Sequence, residues 1–196
     1  LAETKNFDGT VHLIFQPAEE DISGAKRMIE EGLFQRFPCD AVFAMHNIPG
    51  DETGQITVRG GAITAAVDIV EVTVRGIGGH GAIPHKTADP IVAASGIVLA
   101  LQTIVARNVN PLDPAVVTVG AFNLATIIPG EAFLKIGVRS CTNDVRELLR
   151  RRIESLVNEQ AKSYGCEADI SYNPGISYPP GHNTPEHASL VRGTAT

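Results

Sequence analysis

Two adjacent carboxylates, Glu19 and Glu20, end the stretch VHLIFQPAEE and suggest chemistry. Like charges this close repel each other, and a bound divalent cation would remove that repulsion. His46 ends a second apolar run in AMHN, and imidazole is a common metal ligand. For an isolated Glu-Glu pair a solvated turn would be the simpler interpretation, but this pair directly follows a predicted buried strand and a histidine ends the next one.

A glycine-rich stretch, RGIGGHGAIPH, carries Gly76, Gly78 and Gly81 in the G-x-G-x-x-G order of dinucleotide-binding loops. The context argues against a nucleotide site, because a proline and HKTAD precede the next predicted helix. No acidic residue lies about 20 positions further on to bind a ribose. A dinucleotide-binding protein is therefore the third interpretation of the chain. The glycines otherwise predict a sharp loop that carries His80.

Short apolar runs rich in β-branched residues surround the carboxylates and His46. They predict buried strands at 10–15, 40–46 and 54–59, with a helix over 23–34. Buried strands separated by a helix predict a parallel α/β layer. Because ligands in such sheets gather at the carboxyl ends of strands, the glutamate pair and the histidine are suitably placed to bind one.

From residue 67 the pattern changes to strands that alternate apolar and polar residues, as in a sheet with one covered face. Strands are predicted at 67–75, 115–122, 131–139 and 166–172 and helices at 88–107 and 143–165. The resulting β-α-β-β-α-β order is the ferredoxin-like pattern. The sequence predicts an α/β plus α+β fold: a partial α/β domain at 1–66, a complete α+β domain at 67–173, and a Pro- and Gly-rich linker at 174–196 that returns to the first domain.

The composition excludes some classes of protein. The 196 residues are 43% hydrophobic and 19% charged, as in ordinary globular proteins. The net charge of −6 and the scattered basic residues argue against a nucleic-acid partner. No apolar run is predicted to be long enough to cross a membrane. Cys39, Cys141 and Cys166 are predicted to be buried, reduced thiols. The opening LAETKNFDGT lacks methionine, so we expect part of a longer protein, and we expect that protein to be cytoplasmic.

Three stretches, IFQPAEE, AMHN and VRGIGGHGAIPH, occur in this order and at this spacing in one family. The chain resembles the M20 metallopeptidase family, in the amidohydrolase branch that contains hippurate hydrolases, N-acyl amino acid amidohydrolases and auxin-conjugate hydrolases. The resemblance runs from DGTVHLIFQPAEE to ISYPPGHN, which is nearly the whole chain. It implies a metallopeptidase-type catalytic α/β domain with an inserted ferredoxin-like lid, which in the family usually forms the homodimer contact.

The resemblance implies a role for each matching residue. Glu19 matches the general base that takes a proton from the attacking water, and Glu20 and His46 match metal ligands. His80 matches a lid histidine that reaches the partner subunit's active site and stabilises the oxyanion. Arg139 matches an arginine that holds the substrate's free carboxylate with its fork of donors. The structural alternatives are a strand-end histidine for His46, a loop histidine for His80 and a solvent-facing strand residue for Arg139.

The resemblance also implies a cofactor, a substrate and partners. The cofactor is one or two divalent ions (Zn, Mn, Ni or Co) in the complete protein. Two ligands in this chain are too few, since open zinc sites keep three protein ligands. Thr126 stands where the family tends to have an asparagine. The implied function is hydrolysis of the amide bond of N-acyl amino acids or similar small conjugates by a homodimer, with no nucleic-acid or membrane partner and with this chain alone inactive. The alternative is a non-catalytic dimerisation and lid module.

Overall fold

The computed structural model describes residues 3–4, 6–20, 24–50, 52–122, 127–172 and 177–194. The chain divides into two compact units, Leu1–Gln55 and Ile56–Thr196. This division precedes the boundary expected at residue 66. The reason is that residues 61–64 pair with residues 181–183 and so belong to the second unit.

The first unit contains two short helices and no β-strand among its described residues. α1 spans Gly24–Glu30 and α2 spans Leu33–Arg36. Gly32 lies between them with φ of 89°, in the left-handed region that favours glycine. The helix predicted over 23–34 therefore ends before Gly32, the residue predicted to stop it, and a second short helix follows the glycine.

The strands predicted at 10–15, 40–46 and 54–59 are not formed, so this prediction is wrong. A strand requires a neighbour that pairs with its backbone N–H and C=O groups, and these segments pair with none of the described residues. Their apolar side chains are consequently exposed, with Phe15 84% and Met45 95% accessible to solvent. An exposed apolar surface of this kind is typical of a contact with further protein.

The second unit contains a two-stranded and a four-stranded sheet. In chain order its elements are β1 (Gly61–Thr64), β2 (Ala66–Arg75), α3 (Pro90–Asn108), β3 (Ala115–Phe122), β4 (Glu131–Ser140), α4 (Asn143–Ser163), β5 (Glu167–Tyr172), β6 (Gly181–Asn183) and α5 (Pro185–Thr194). The larger sheet has the order β3-β4-β2-β5, and all neighbouring strands are antiparallel. The helices and strands predicted between residues 67 and 173 are all present, and the chain is a mixed α/β protein.

One face of the four-stranded sheet packs on α3 and α4. Alternate residues of β2 and β4 turn to this face and are buried, among them Val70, Val72, Val74, Leu134 and Ile136. Both helices begin at a capping side chain, since Asp89 accepts a hydrogen bond from the Ile91 N–H at 2.8 Å and Thr142 accepts one from the Val145 N–H at 3.3 Å. The opposite face of the sheet carries Arg139.

α3 is long and apolar enough to cross a membrane on length and composition alone, so the prediction that no such run exists is wrong. Its buried residues include Ile97, Leu101 and Ile104, which pack in the core of the second unit. Val92 and Leu99 on other positions of the helix are 50% and 73% exposed. Packing against the sheet accounts for much of the apolar composition, and the exposed residues form an apolar surface beside it.

The predicted linker at 174–196 contains regular structure in its described part, so a plain linker is wrong there. β6 pairs with β1 in an antiparallel ladder, and α5 follows it. Tyr178 bridges Val67, which ties this segment to the start of β2. Three residues of pairing suffice to form such a ladder despite the prolines around it, because the pairing uses no proline N–H. Residues 173–176 lie outside the described residues.

The three cysteines are free thiols in different surroundings. Cys166 is buried, as predicted, and burial raises the pKa of its thiol. Cys39 is exposed, so the prediction of a buried thiol is wrong there. The difference follows from its place in the first unit, where the apolar segments expected to cover it form no sheet.

A partly buried ion pair joins the sheet, α4 and the return segment. Asp68, 7% exposed, lies at a core-facing position of β2 and accepts hydrogen bonds from Arg146 Nε at 2.6 Å and Nη2 at 2.5 Å. Ser177 accepts from the same Nη2 at 2.7 Å and donates to Asp68 at 3.1 Å. The hydrogen bonds to Asp68 raise the pKa of the Arg146 guanidinium against the opposing effect of burial. The cluster therefore fixes three separate parts of the second unit together.

Replacing Arg146 by Met is expected to lower the free energy of unfolding of this chain by about 3–5 kcal/mol. The reason is that the Asp68 carboxylate would stay buried without its charged partner. Urea unfolding followed by circular dichroism measures the change. Arg151→Met is the matched control, because Arg151 is an exposed residue of the same helix. A loss below about 1 kcal/mol, the size expected for an exposed pair, would show that the cluster does not stabilise the fold.

Candidate functional site

The Glu19–Glu20 pair lies in a turn of the first unit and is exposed. Ala18, directly before it, has a φ of 50°, which is a strained conformation for a residue other than glycine. No described residue forms a hydrogen bond or ion pair with either carboxylate. Both groups can therefore accept a proton or bind a cation, and their mutual repulsion is not relieved within the described residues.

His46 is exposed, and its tautomer is set by the neighbouring backbone. Nδ1 lies 2.7 Å from the carbonyl oxygen of Asn47. A carbonyl oxygen can only accept, so Nδ1 carries the proton of the neutral ring and Nε2 carries a lone pair. Metal-ligating histidines are oriented by this kind of second hydrogen bond. The geometry therefore suits His46 for metal binding through Nε2.

The residues present fit part of a metal site. The described part of the chain contains no group of three or more His, Cys, Asp or Glu side chains that could hold an ion. Glu20 offers a carboxylate, and His46 offers an imidazole with a lone pair on Nε2. Zinc and related ions accept both kinds of ligand. At least one more protein ligand would have to come from outside the described residues.

Close backbone packing explains Gly78, which lies in the loop that carries His80. A Cβ on Gly78 would lie 2.8 Å from the carbonyl oxygen of Ile128 and 2.8 Å from the carbonyl carbon of Pro129. Gly79 N–H donates to the Ile128 carbonyl at 3.0 Å. The loop is thus pressed against the segment that precedes β4. Gly78 serves this packing, and α3 begins well beyond the loop, at Pro90, so the arrangement of a dinucleotide site is not formed.

His80 is exposed on this loop with a defined tautomer. The N–H of Ala82 donates to Nδ1 at 3.1 Å, so Nδ1 is an acceptor. In the neutral ring the proton is then on Nε2. No described residue accepts a hydrogen bond from Nε2. The loop therefore presents an N–H donor that can bind an oxygen of another molecule.

Arg139 differs from the other basic residues on the helix-free face of the sheet. Lys135 pairs with Glu71 at 3.0 Å, and Arg75 pairs with Glu131 at 3.8 Å. Arg139 is half-buried, and its Nη1 donates to the carbonyl of Val138 at 3.1 Å. Its cross-strand neighbours are apolar, Val67 on β2 and Val116 on β3. Within the described part of the chain no carboxylate neutralises Arg139, which leaves its charge available for an anionic ligand.

The candidate residues are divided between the two units. Glu19, Glu20 and His46 belong to the first, and His80 and Arg139 belong to the second. Thr126 lies outside the described residues. Sequence reasoning missed the Asp68 cluster. The available signal was a charged residue at an apolar position of an alternating strand, which requires a buried partner.

The fold is that of a mixed α/β protein, and the candidate residues are exposed or half-buried in its two units. The chain belongs to Peptidase family M20/M25/M40, whose sequence pattern matches residues 1–196.

Two curated relatives and one solved structure illustrate the family. The chain is 43% identical over 173 residues to a hippurate hydrolase of Campylobacter jejuni, covering 87% of this chain and 45% of the relative. It is 37% identical over 190 residues to an N-acetyl-L-cysteine deacetylase of Bacillus subtilis, covering 95% and 45%. It also matches the structure of a Bacillus subtilis protein described as a dinuclear metal-binding peptidase of the M20 family, with TM-score 0.72, 28% identity, and 92% and 45% covered. The chain thus spans about half the length of the relatives it matches.

Proposed function

We propose that the complete protein is a metal-dependent amidohydrolase that cleaves the amide bond of N-acyl amino acids or similar small conjugates. The observation that carries the proposal is the family match over residues 1–196. Hippurate and N-acetyl-L-cysteine, which name the substrates of two relatives, are both N-acyl amino acids. The candidate residues supply the groups such a reaction needs: a base, metal ligands, an oxyanion donor and a cation for the substrate carboxylate.

Glu20 and His46 would hold one or two divalent ions (Zn, Mn, Ni or Co), together with ligands from other parts of the complete protein. The relative described as a dinuclear metal-binding peptidase supports this assignment. When bound, such an ion acts as a Lewis acid and as an activator of water.

Glu19 would act as the general base. Its carboxylate takes a proton from the attacking water and then returns that proton to the nitrogen of the leaving amine. Its exposure and the absence of a partner among the described residues support this role, because no described hydrogen bond occupies its oxygens.

Arg139 would bind the free carboxylate of the amino acid. A guanidinium presents two parallel donors to a carboxylate. The guanidinium of Arg139 has no acidic partner among the described residues, unlike the other basic side chains on the helix-free face of the sheet. The same contact would orient the substrate with its acyl group away from the arginine.

His80 would stabilise the oxyanion that develops on the substrate carbonyl, through its Nε2–H. The family resemblance implies that this histidine acts in the partner subunit of a homodimer, with the βαββαβ domain as lid and dimer contact. The apolar residues Val92 and Leu99, exposed on α3, support such a contact. Recovery of activity on mixing two inactive variants tests it, because only a shared site can be rebuilt from two subunits.

The proposal predicts that the complete protein hydrolyses N-benzoylglycine and that a chelator abolishes the activity, which added divalent ions restore. N-benzoylglycinamide, which lacks the carboxylate, should be cleaved with a kcat/KM lower by about 10-fold or more, since a charge-assisted pair to Arg139 is lost. The isolated 196-residue chain should be inactive because its ligand set is incomplete. Release of benzoate, which both substrates yield, is the readout.

A non-catalytic lid and dimerisation module is the second candidate, favoured by the self-contained core of the second unit. A complete protein that forms dimers and cleaves no N-acyl amino acid with any of the four ions would establish this alternative and refute the amidohydrolase.

A further inference from the structure

We propose that an apolar wall beside His80, formed by Ile91, Ile127, Ile128 and Pro129, receives the acyl substituent of the substrate. The substrate class is then N-acyl amino acids with a bulky apolar acyl group, such as benzoyl. This inference rests on the proposed function, because it takes His80 to contact the carbonyl oxygen of the scissile amide.

The wall and the histidine share one cavity. Its volume is about 440 Å³, within the range of small-molecule sites, and the four apolar residues line it together with His80 and Asp89. Ile127 is 70% exposed although it is a large apolar residue. A ligand group that covered Ile127 would remove this apolar surface from water, and that burial favours binding of an apolar substituent.

Backbone hydrogen bonds fix the wall relative to His80. Gly79 N–H donates to the Ile128 carbonyl at 3.0 Å, and Gly76 N–H donates to the Gly130 carbonyl at 2.9 Å. These two hydrogen bonds hold the loop that carries His80 and the segment that carries Ile127 in a fixed relative position. A substrate whose carbonyl oxygen binds Nε2 of His80 has its neighbouring atoms within reach of the same cavity.

The charge of Asp89 is already engaged. Its Oδ1 accepts a hydrogen bond from Ile91 N–H at 2.8 Å and caps α3. The carboxylate disfavours an acidic acyl group in the cavity by like-charge repulsion. The remaining lining side chains are apolar, apart from His80 itself. The cavity thus selects against acidic acyl groups as well as for apolar ones.

The charges of the cavity lining distinguish the acyl side from the amino-acid side. The oxyanion is an oxygen bonded to the former carbonyl carbon, and that carbon carries both the acyl substituent and the amide nitrogen. The lining includes the carboxylate of Asp89 and not Arg139, so the cavity disfavours the half of the substrate that carries a carboxylate. The amino-acid portion carries the carboxylate, for which Arg139 is the proposed partner. The cavity beside His80 is therefore assigned to the acyl group.

The test compares kcat/KM of the complete protein for N-benzoylglycine and N-acetylglycine. In Ile127→Ser the ratio of kcat/KM for N-benzoylglycine to kcat/KM for N-acetylglycine should fall by about 10-fold or more, because part of an apolar pocket is lost. Ile127→Leu should keep the ratio near that of the wild type. Ile77→Ser is the matched control, since Ile77 is 61% exposed and does not line the cavity.

The outcomes separate this inference from the proposed function. A wild type that cleaves neither substrate overturns the proposed function and this inference with it. A wild type that cleaves both, with a ratio unchanged in Ile127→Ser, overturns the acyl wall alone. A ratio that falls equally in Ile77→Ser also overturns it, because the effect would then be independent of the cavity.

Discussion

Glu19→Gln in the complete protein is expected to lower kcat by about 10²- to 10⁴-fold while the content of bound metal stays unchanged. The amide keeps the size of the side chain but cannot take a proton from water. Because the assigned ligand is the neighbouring Glu20, metal binding should not depend on Glu19. Steady-state kinetics and elemental analysis of the same preparation measure the two quantities.

Glu20→Gln is the matched control, because the two side chains are neighbours, equally exposed and chemically identical. This variant should lose bound metal, and its activity should rise when divalent ions are added in excess. The assignment is wrong if Glu19→Gln retains activity within about tenfold of the wild type, below the range for a general base. It is also wrong if Glu19→Gln, and not Glu20→Gln, is the variant that loses metal.

His80→Ala is expected to lower kcat by about 10²- to 10³-fold, the effect of removing one oxyanion donor. The structure gives the physical reason, because Ala82 holds Nδ1 as an acceptor and so leaves the proton on Nε2. KM should change less than kcat, since the oxyanion exists in the transition state and not in the bound substrate.

Mixing the two inactive variants tests whether His80 acts across a dimer. In a heterodimer of Glu19→Gln and His80→Ala subunits, one site receives Glu19 from one subunit and His80 from the other. Random exchange makes half of the dimers mixed, and half of their sites intact, so about one quarter of the wild-type activity should return. No recovery after demonstrated subunit exchange would place His80 in its own subunit's site or outside any site.

Local sequence patterns sufficed for the second unit because its pairing partners lie within the chain. The strands at 67–75 and 131–139 alternate apolar and polar residues and pair with each other in the sheet. This alternation, the helix caps and the order of the elements along the chain together predict the fold. The ladder of β1 and β6 could not be predicted, because three paired residues are too few to show an alternation of apolar and polar side chains.

The first unit shows the opposite case. Apolar runs such as that around Phe15 have strand composition, yet a strand also requires a paired neighbour, and the described residues offer none. The same reason limits the candidate site. The family resemblance predicted Glu20 and His46 as ligands. The tautomer of His46, and the lack of a carboxylate partner for Arg139 among the described residues, depend on contacts that only three-dimensional structure provides.

The most direct test of the account is a crystal structure of the complete, metal-loaded protein with anomalous scattering at the edge of the bound metal. The account predicts a peak about 2.0–2.2 Å from a carboxylate oxygen of Glu20 and from Nε2 of His46, with Glu19 outside that distance. A metal ion bound elsewhere, with Glu20 and His46 both directed away from it, would contradict the account.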